Sequence, residues 1–129
     1  MTDVAIGATV TAKYKSGEYY GEVIDLRPEK RQAVVKVTAV KRHPVQGDLH
    51  HPNETEVPLF HERKALSKFE KANIPINTVK PFSGEVPGYE SSLKEAVDIQ
   101  KNELREKNTA WAAKALETLE TVEQSYSYK

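Results

Sequence analysis

Ala33-Val-Val-Lys-Val-Thr-Ala-Val40 is the stretch on which the fold turns, because its run of β-branched side chains fits a pleated, half-buried surface. Reading outward from it, Pro28-Glu-Lys-Arg31 is the turn before the strand, and Tyr19–Leu26 is the strand before that. Gly21 lies inside Tyr19–Leu26, and a glycine there marks a bulge or sharp bend. Earlier still, Val10, Ala12 and Tyr14 alternate with Thr11, Lys13 and Lys15, the period-two pattern of a strand. Ser16-Gly17 supplies the turn between the two. On the other side, His43–Asn53 is a polar loop and Thr55-Glu-Val-Pro-Leu-Phe60 a fourth strand, which Pro58 confines to an edge or terminal position. Four short strands curled by a mid-strand glycine predict a small SH3-like β-barrel over residues 1–60.

Residues 61–88 connect this barrel to the C-terminal forty residues. His61–Lys71 carries Ala65, Leu66 and Phe69 on one face and predicts a short helix. Pro75, Pro81 and Pro87, with Gly84 and Gly88, then force an extended stretch across the barrel. Residues 89–126 predict an antiparallel helical hairpin. Ser92 and Glu95 have capping-box spacing, and Leu93, Ala96, Val97, Gln100 and Leu104 form a stripe with one polar member. Glu103 and Lys107 stand at i,i+4, the spacing of a favourable helical pair. Asn108-Thr109 breaks the helix and caps the next, whose stripe runs through Trp111, Ala112, Ala115, Leu116, Leu119, Val122 and Tyr126. The fold class expected is therefore α+β, a barrel followed by a hairpin that lies on it or stands off it as an arm. The stripe, if exposed, would support a homodimer.

The chain has 129 residues, 19 basic and 19 acidic, and no cysteine. Without cysteine there is no disulfide framework, thiolate metal site or thiol-linked lipid anchor. No apolar run approaches a bilayer span, and the first residues lack the pattern of a secretory signal, so a soluble, intracellular, cytoplasmic protein is expected. A zero net charge argues against nucleic-acid binding over the whole surface. The charge is nonetheless uneven. Arg27–Arg42 holds six basic residues against Glu29, while residues 90–124 hold eight acidic against five basic.

His43, His50, His51 and His61 fall within nineteen residues, but no His-x-x-x-His or His-x-His pair is among them. They read as loop histidines bonded to backbone carbonyls, and neither metal nor cofactor is expected. No nucleophile elbow or glycine-rich phosphate loop is present, and no catalytic residue is assigned. The candidate contact residues are His43, Gln46, Asp48, His50, His61, Glu62 and Arg63, polar groups on loops of a rigid scaffold. The alternative is a face of Lys36, Lys41, Arg42 and Tyr20 that would bind RNA or a single strand by stacking and phosphate contacts. Against it stands the use of strand lysines to protect a sheet edge. Glu117, Glu120 and Glu123 read as a solvated acidic face, or as a dock for a basic partner.

Four strings carry a resemblance. They are Lys41-Arg-His-Pro-Val-Gln-Gly-Asp-Leu-His50, Thr55-Glu-Val-Pro-Leu-Phe-His-Glu-Arg63, Val79-Lys-Pro-Phe82 and Tyr89-Glu-Ser-Ser-Leu-Lys-Glu-Ala96. In this order they resemble the kinase-associated protein B family of spore-forming bacilli, over nearly the whole chain. The resemblance implies a non-catalytic accessory to a membrane sensor histidine kinase that feeds the sporulation phosphorelay. The expected partner is that kinase or another phosphorelay component, with membrane proximity only through the kinase and no direct insertion. It also implies an SH3-like barrel followed by helices. Family members have been labelled lipoproteins, a label that needs a lipid-acceptor cysteine, which this sequence lacks.

Overall fold

The computed structural model describes residues 4–47 and 62–126. Their fold is α+β: five strands in one antiparallel sheet, then two helices. The strands are β1 (Thr9–Tyr14), β2 (Gly17–Arg27), β3 (Gln32–Arg42), β4 (Lys71–Pro75) and β5 (Lys80–Pro81), in sheet order β4-β3-β2-β1-β5. The first three are the strands read from sequence, and the register confirms the bend. β2 slips against β3 between Tyr20 and Gly21. A Cβ on Gly21 would stand 2.5 Å from Val35 Cγ1 and 2.6 Å from the Lys36 carbonyl oxygen, so only glycine lets the strands approach here.

The pairings among the described residues leave the sheet open between β4 and β5, so the expected closed barrel is corrected to a curled open sheet. The expected fourth strand, 55–60, lies outside the described residues. The two outer strands come instead from the proline-rich segment. β4 pairs with β3, a 3-10 turn at Ile76–Thr78 reverses the chain, and β5 adds two residues to β1.

The short helix expected over 61–71 is also corrected. Residues 62–67 run irregular, and Phe69 takes a left-handed conformation (φ 67°) whose N–H bonds the Val37 carbonyl. An α-helix would need those backbone groups for itself; here the Val37 carbonyl holds Phe69, and distant side chains hold Arg63, Ala65 and Leu66.

Helix α1 (Tyr89–Lys107) packs on β3, and α2 (Ala110–Glu123) packs on α1. Lys101 of α1 pairs with Glu123 at the end of α2. Asn108 adopts the left-handed conformation that ends α1, and Thr109 Oγ1 accepts from the Ala112 N–H as the cap of α2, both as the sequence implies. The cap of α1 is different. Gly88 is the N-cap residue and offers no side chain, and Ser92 Oγ, one turn inside, accepts from the Val40 N–H and donates to the Tyr89 carbonyl. Ser92 thus fastens α1 to β3 rather than capping it.

The described residues form two apolar cores. One lies within the curl of the sheet around Val10, Val23, Val35, Ile74 and Val79. The other joins Tyr19, Val37 and Val40 to Leu93, Val97, Leu104, Trp111, Ala115 and Leu119 of the helices. Trp111 takes the packing position expected of it. Glu123 does not stay on an acidic outer face, being buried and paired with Lys101. Glu103 pairs with Arg42 at 3.9 Å rather than with Lys107, whose ammonium lies 5.2 Å from the Trp111 ring centroid.

Candidate functional site: the braced loops beside the hairpin

Residues 43–47 and 62–66 come together where β3 ends, and buried side chains satisfy their backbones. A loop cannot bury its peptide groups without such partners. Gln46 side-chain Oε1 accepts from the Arg63 N–H at 2.8 Å, and its Nε2 donates to the Arg63 carbonyl at 2.9 Å. One amide therefore pairs with both backbone groups of Arg63, as a strand neighbour would. The Arg63 guanidinium returns across the gap to the carbonyls of Val45 (3.3 Å) and Gly47. Ser16 Oγ, in the β1–β2 turn, accepts from the Val45 N–H at 3.0 Å.

His43 has 0% of its surface exposed. Its Nδ1 lies 2.9 Å from the Pro44 carbonyl, which only an N–H can satisfy, so Nδ1 carries the proton. Nε2, 2.7 Å from the Tyr126 hydroxyl, is then the acceptor, and Tyr126 donates. The same hydroxyl accepts from the Ala65 N–H at 2.9 Å. The chain of donors that this tautomer gives runs Ala65 to Tyr126 to His43 to Pro44. Burial pushes the His43 imidazole down to about 4, against the opposing pull of the Pro44 carbonyl and the Glu123 carboxylate. Burial likewise raises Tyr126.

Two more tyrosines hold Leu66: Tyr19 accepts from its N–H at 3.2 Å and Tyr89 donates to its carbonyl at 2.6 Å. Burial pushes Tyr19 up to about 12 and Tyr89 also upward, so both hydroxyls stay protonated at neutral pH. Gln100, the polar member of the α1 stripe, donates to the His43 carbonyl at 2.9 Å. Its Oε1 is buried without a partner in the structure.

Of the expected contact residues, His43 and Gln46 are therefore interior braces and present no surface to a partner. Glu62 is exposed, and Arg63 is half-buried with its guanidinium turned onto the loop. Asp48, His50 and His61 lie outside the described residues. Among the described residues no three metal-ligating side chains converge. Tyr126 and Gln100 are the members that a search for surface chemistry missed. The signal for Gln100 was its polarity within an apolar stripe.

Each cation of the alternative face lies beside a carboxylate. Lys36 lies 3.7 Å from Glu22, Lys41 3.5 Å from Glu18 and Arg42 3.9 Å from Glu103, while Tyr20 packs edge-on against Phe82.

Of three concavities that Arg42 borders among the described residues, the smallest touches His43, Gln100, Glu18 and Glu103, and the two larger are these. A groove of about 390 Å³ lies between the loop and the hairpin, with Val45, Leu104 and Trp111 on its walls. A cleft of about 550 Å³ lies on the other side, lined by Lys13, Tyr14, Lys15 and Thr78.

The model of the family described as kinase associated protein B matches residues 14–127, which takes in the sheet, both loops and the hairpin. The chain belongs to the kinase-associated protein B family. It is 46% identical over 126 residues to a kinase-associated lipoprotein B of Bacillus subtilis (strain 168), a match covering 98% of this chain and 97% of that one. It is also similar to a kinase-associated protein B from Bacillus cereus whose crystal structure is known. That likeness has a TM-score of 0.80 at 40% identity and covers 96% of this chain and 98% of the other. Among the described residues no helix is long and apolar enough to cross a membrane.

Proposed function

We propose that this protein is a non-catalytic accessory factor that binds a sensor histidine kinase, or the phosphorelay component beside it, and supports signal flow toward sporulation. The observation that carries the reading is membership of the kinase-associated protein B family along almost the whole chain. The geometry supports it. Side chains capable of chemistry are spent on rigidity: His43 is sealed, neutral and bonded at both nitrogens, and Gln46 and Arg63 are committed to loop backbone. A rigid loop platform is what a recognition surface needs.

The scaffold is read as SH3-like, since a 3-10 turn leads from β4 into a short fifth strand that returns to β1. The protein acts in the cytoplasm, at the membrane through its kinase. One relative's name includes lipoprotein, and membrane association of this chain is part of the same proposal.

The test is recovery of partners on tagged protein from a nuclease-treated sporulating lysate. A sensor kinase or phosphorelay protein retained after nuclease supports the reading. Ribosomal proteins that vanish with nuclease would replace it with nucleic-acid binding.

A further inference from the structure

From the two larger concavities that meet at Arg42 we infer that this surface docks an acidic peptide segment of a protein partner, with its carboxylates against Arg42, Lys13 and Lys15 and an apolar side chain in the Trp111 groove. This deepens the binding role proposed above without depending on which kinase is bound.

The charge distribution points to the ligand's sign. Lys13 and Lys15 have no carboxylate within ion-pair distance among the described residues, and both line the cleft beside Arg42. The one acidic lining residue there, Glu18, is already engaged by Lys41 at 3.5 Å. Arg42 itself is half-exposed, held only by a long 3.9 Å pair to an equally exposed Glu103. Pairs of that kind contribute little and exchange readily for a better-placed carboxylate. Arginine can grip a carboxylate through two parallel N–H bonds.

The groove on the other side of Arg42 adds an apolar component. Val45, Leu104 and Trp111 form its apolar wall, the Lys107 ammonium sits 5.2 Å from the indole centroid, and Glu103 and Glu106 stand at its rim, so the peptide's carboxylates face the Lys13–Lys15 cleft rather than this groove. Tryptophan, tyrosine and arginine are the residue types that most often dominate binding energy at interfaces, and here Trp111, Tyr14 and Arg42 border one surface.

The surface is also preorganised. Lys15 and Ser16 are the two central residues of the β1–β2 hairpin turn, and both take the left-handed conformation (φ 46° and 70°) that such a tight turn demands. Ser16 Oγ accepts from the Val45 N–H, so the turn carrying Lys15 is locked to the loop that borders the groove.

The experiment uses a phage-displayed library of random twelve-residue peptides selected on the immobilised full chain. Enrichment of peptides pairing Asp or Glu with a large apolar residue is expected. The affinity of a selected peptide should fall at least tenfold with Arg42→Glu, and similarly with Lys15→Glu, each in protein whose unfolding midpoint is unchanged. Amide shifts on binding should cluster at 13–17, 42–45 and the Trp111 indole. Failure to enrich, enrichment of basic or neutral peptides, equal affinity of the Arg42→Glu protein, or tighter binding of single-stranded oligonucleotides would each overturn the inference. A kinase recovered undiminished on Arg42→Glu protein would overturn it while leaving the accessory role intact. Enriched acidic peptides with no kinase recovered would uphold the groove and remove the kinase.

Discussion

Acid should weaken this fold through His43 by an amount that can be isolated. The buried imidazole is held down to about 4, whereas in the unfolded chain it returns to the ordinary 6.5. The folded value is the depressed one, so the unfolded chain binds the proton more readily between these limits. The neutral ring therefore contributes stability that is fully present above pH 6.5 and is lost as pH falls toward 4. At pH 5 the unfolded imidazole is about 97% protonated and the folded one about 9%, a difference of about 2 kcal/mol relative to pH 7.5. Below pH 4 the loss approaches about 3 kcal/mol. Carboxylates titrate in the same range, so wild type must be compared with His43→Gln, which lacks the titrating group and shares the carboxylates. Urea unfolding at pH 7.5 and pH 5 gives two differences. The wild-type difference should exceed that of the variant by about 2 kcal/mol. Equal differences would mean that His43 is not held neutral by burial, and the proton arrangement through Tyr126 would be wrong.

Two further substitutions test the bracing. Tyr126→Phe strands the Ala65 N–H and the His43 Nε2 acceptor together, so urea unfolding should show a loss of about 2–4 kcal/mol; a loss under about 0.5 kcal/mol would mean water replaces the hydroxyl. Gly21→Ala puts a methyl group against Val35 and the Lys36 carbonyl, where backbone cannot yield cheaply. A loss of about 1–3 kcal/mol, seen as a lowered midpoint on thermal unfolding, is expected, and an unchanged midpoint would count against the tight β2–β3 bulge.

The sequence was most legible where structure is periodic and local. β1, β2 and β3, the Gly21 bend, the Asn108-Thr109 break and both helix stripes follow from spacing alone. The open sheet was not legible, because its outer strands are five and two residues long and are placed by prolines and a 3-10 turn. Residues 62–67 misled for a different reason. Their apolar spacing fits a helix, yet their backbone groups bond to Gln46, Tyr19 and Tyr126, side chains remote in sequence. Tertiary partners override local propensity in such a segment. The same cause turned His43 and Gln46 from expected contacts into interior braces. His43 meets Tyr126 across 83 positions, a pairing no local pattern announces. What remained readable was the resemblance in the strings around 41–50, 55–63, 79–82 and 89–96, which the family match bears out.

Co-purification with a sensor histidine kinase is the most direct test of the central claim. The full chain, tagged and expressed at sporulation, should retain a kinase or phosphorelay protein through nuclease treatment and lose it in competition with untagged protein. Recovery of no phosphorelay component, with the protein folded and present at its native level, would contradict the account.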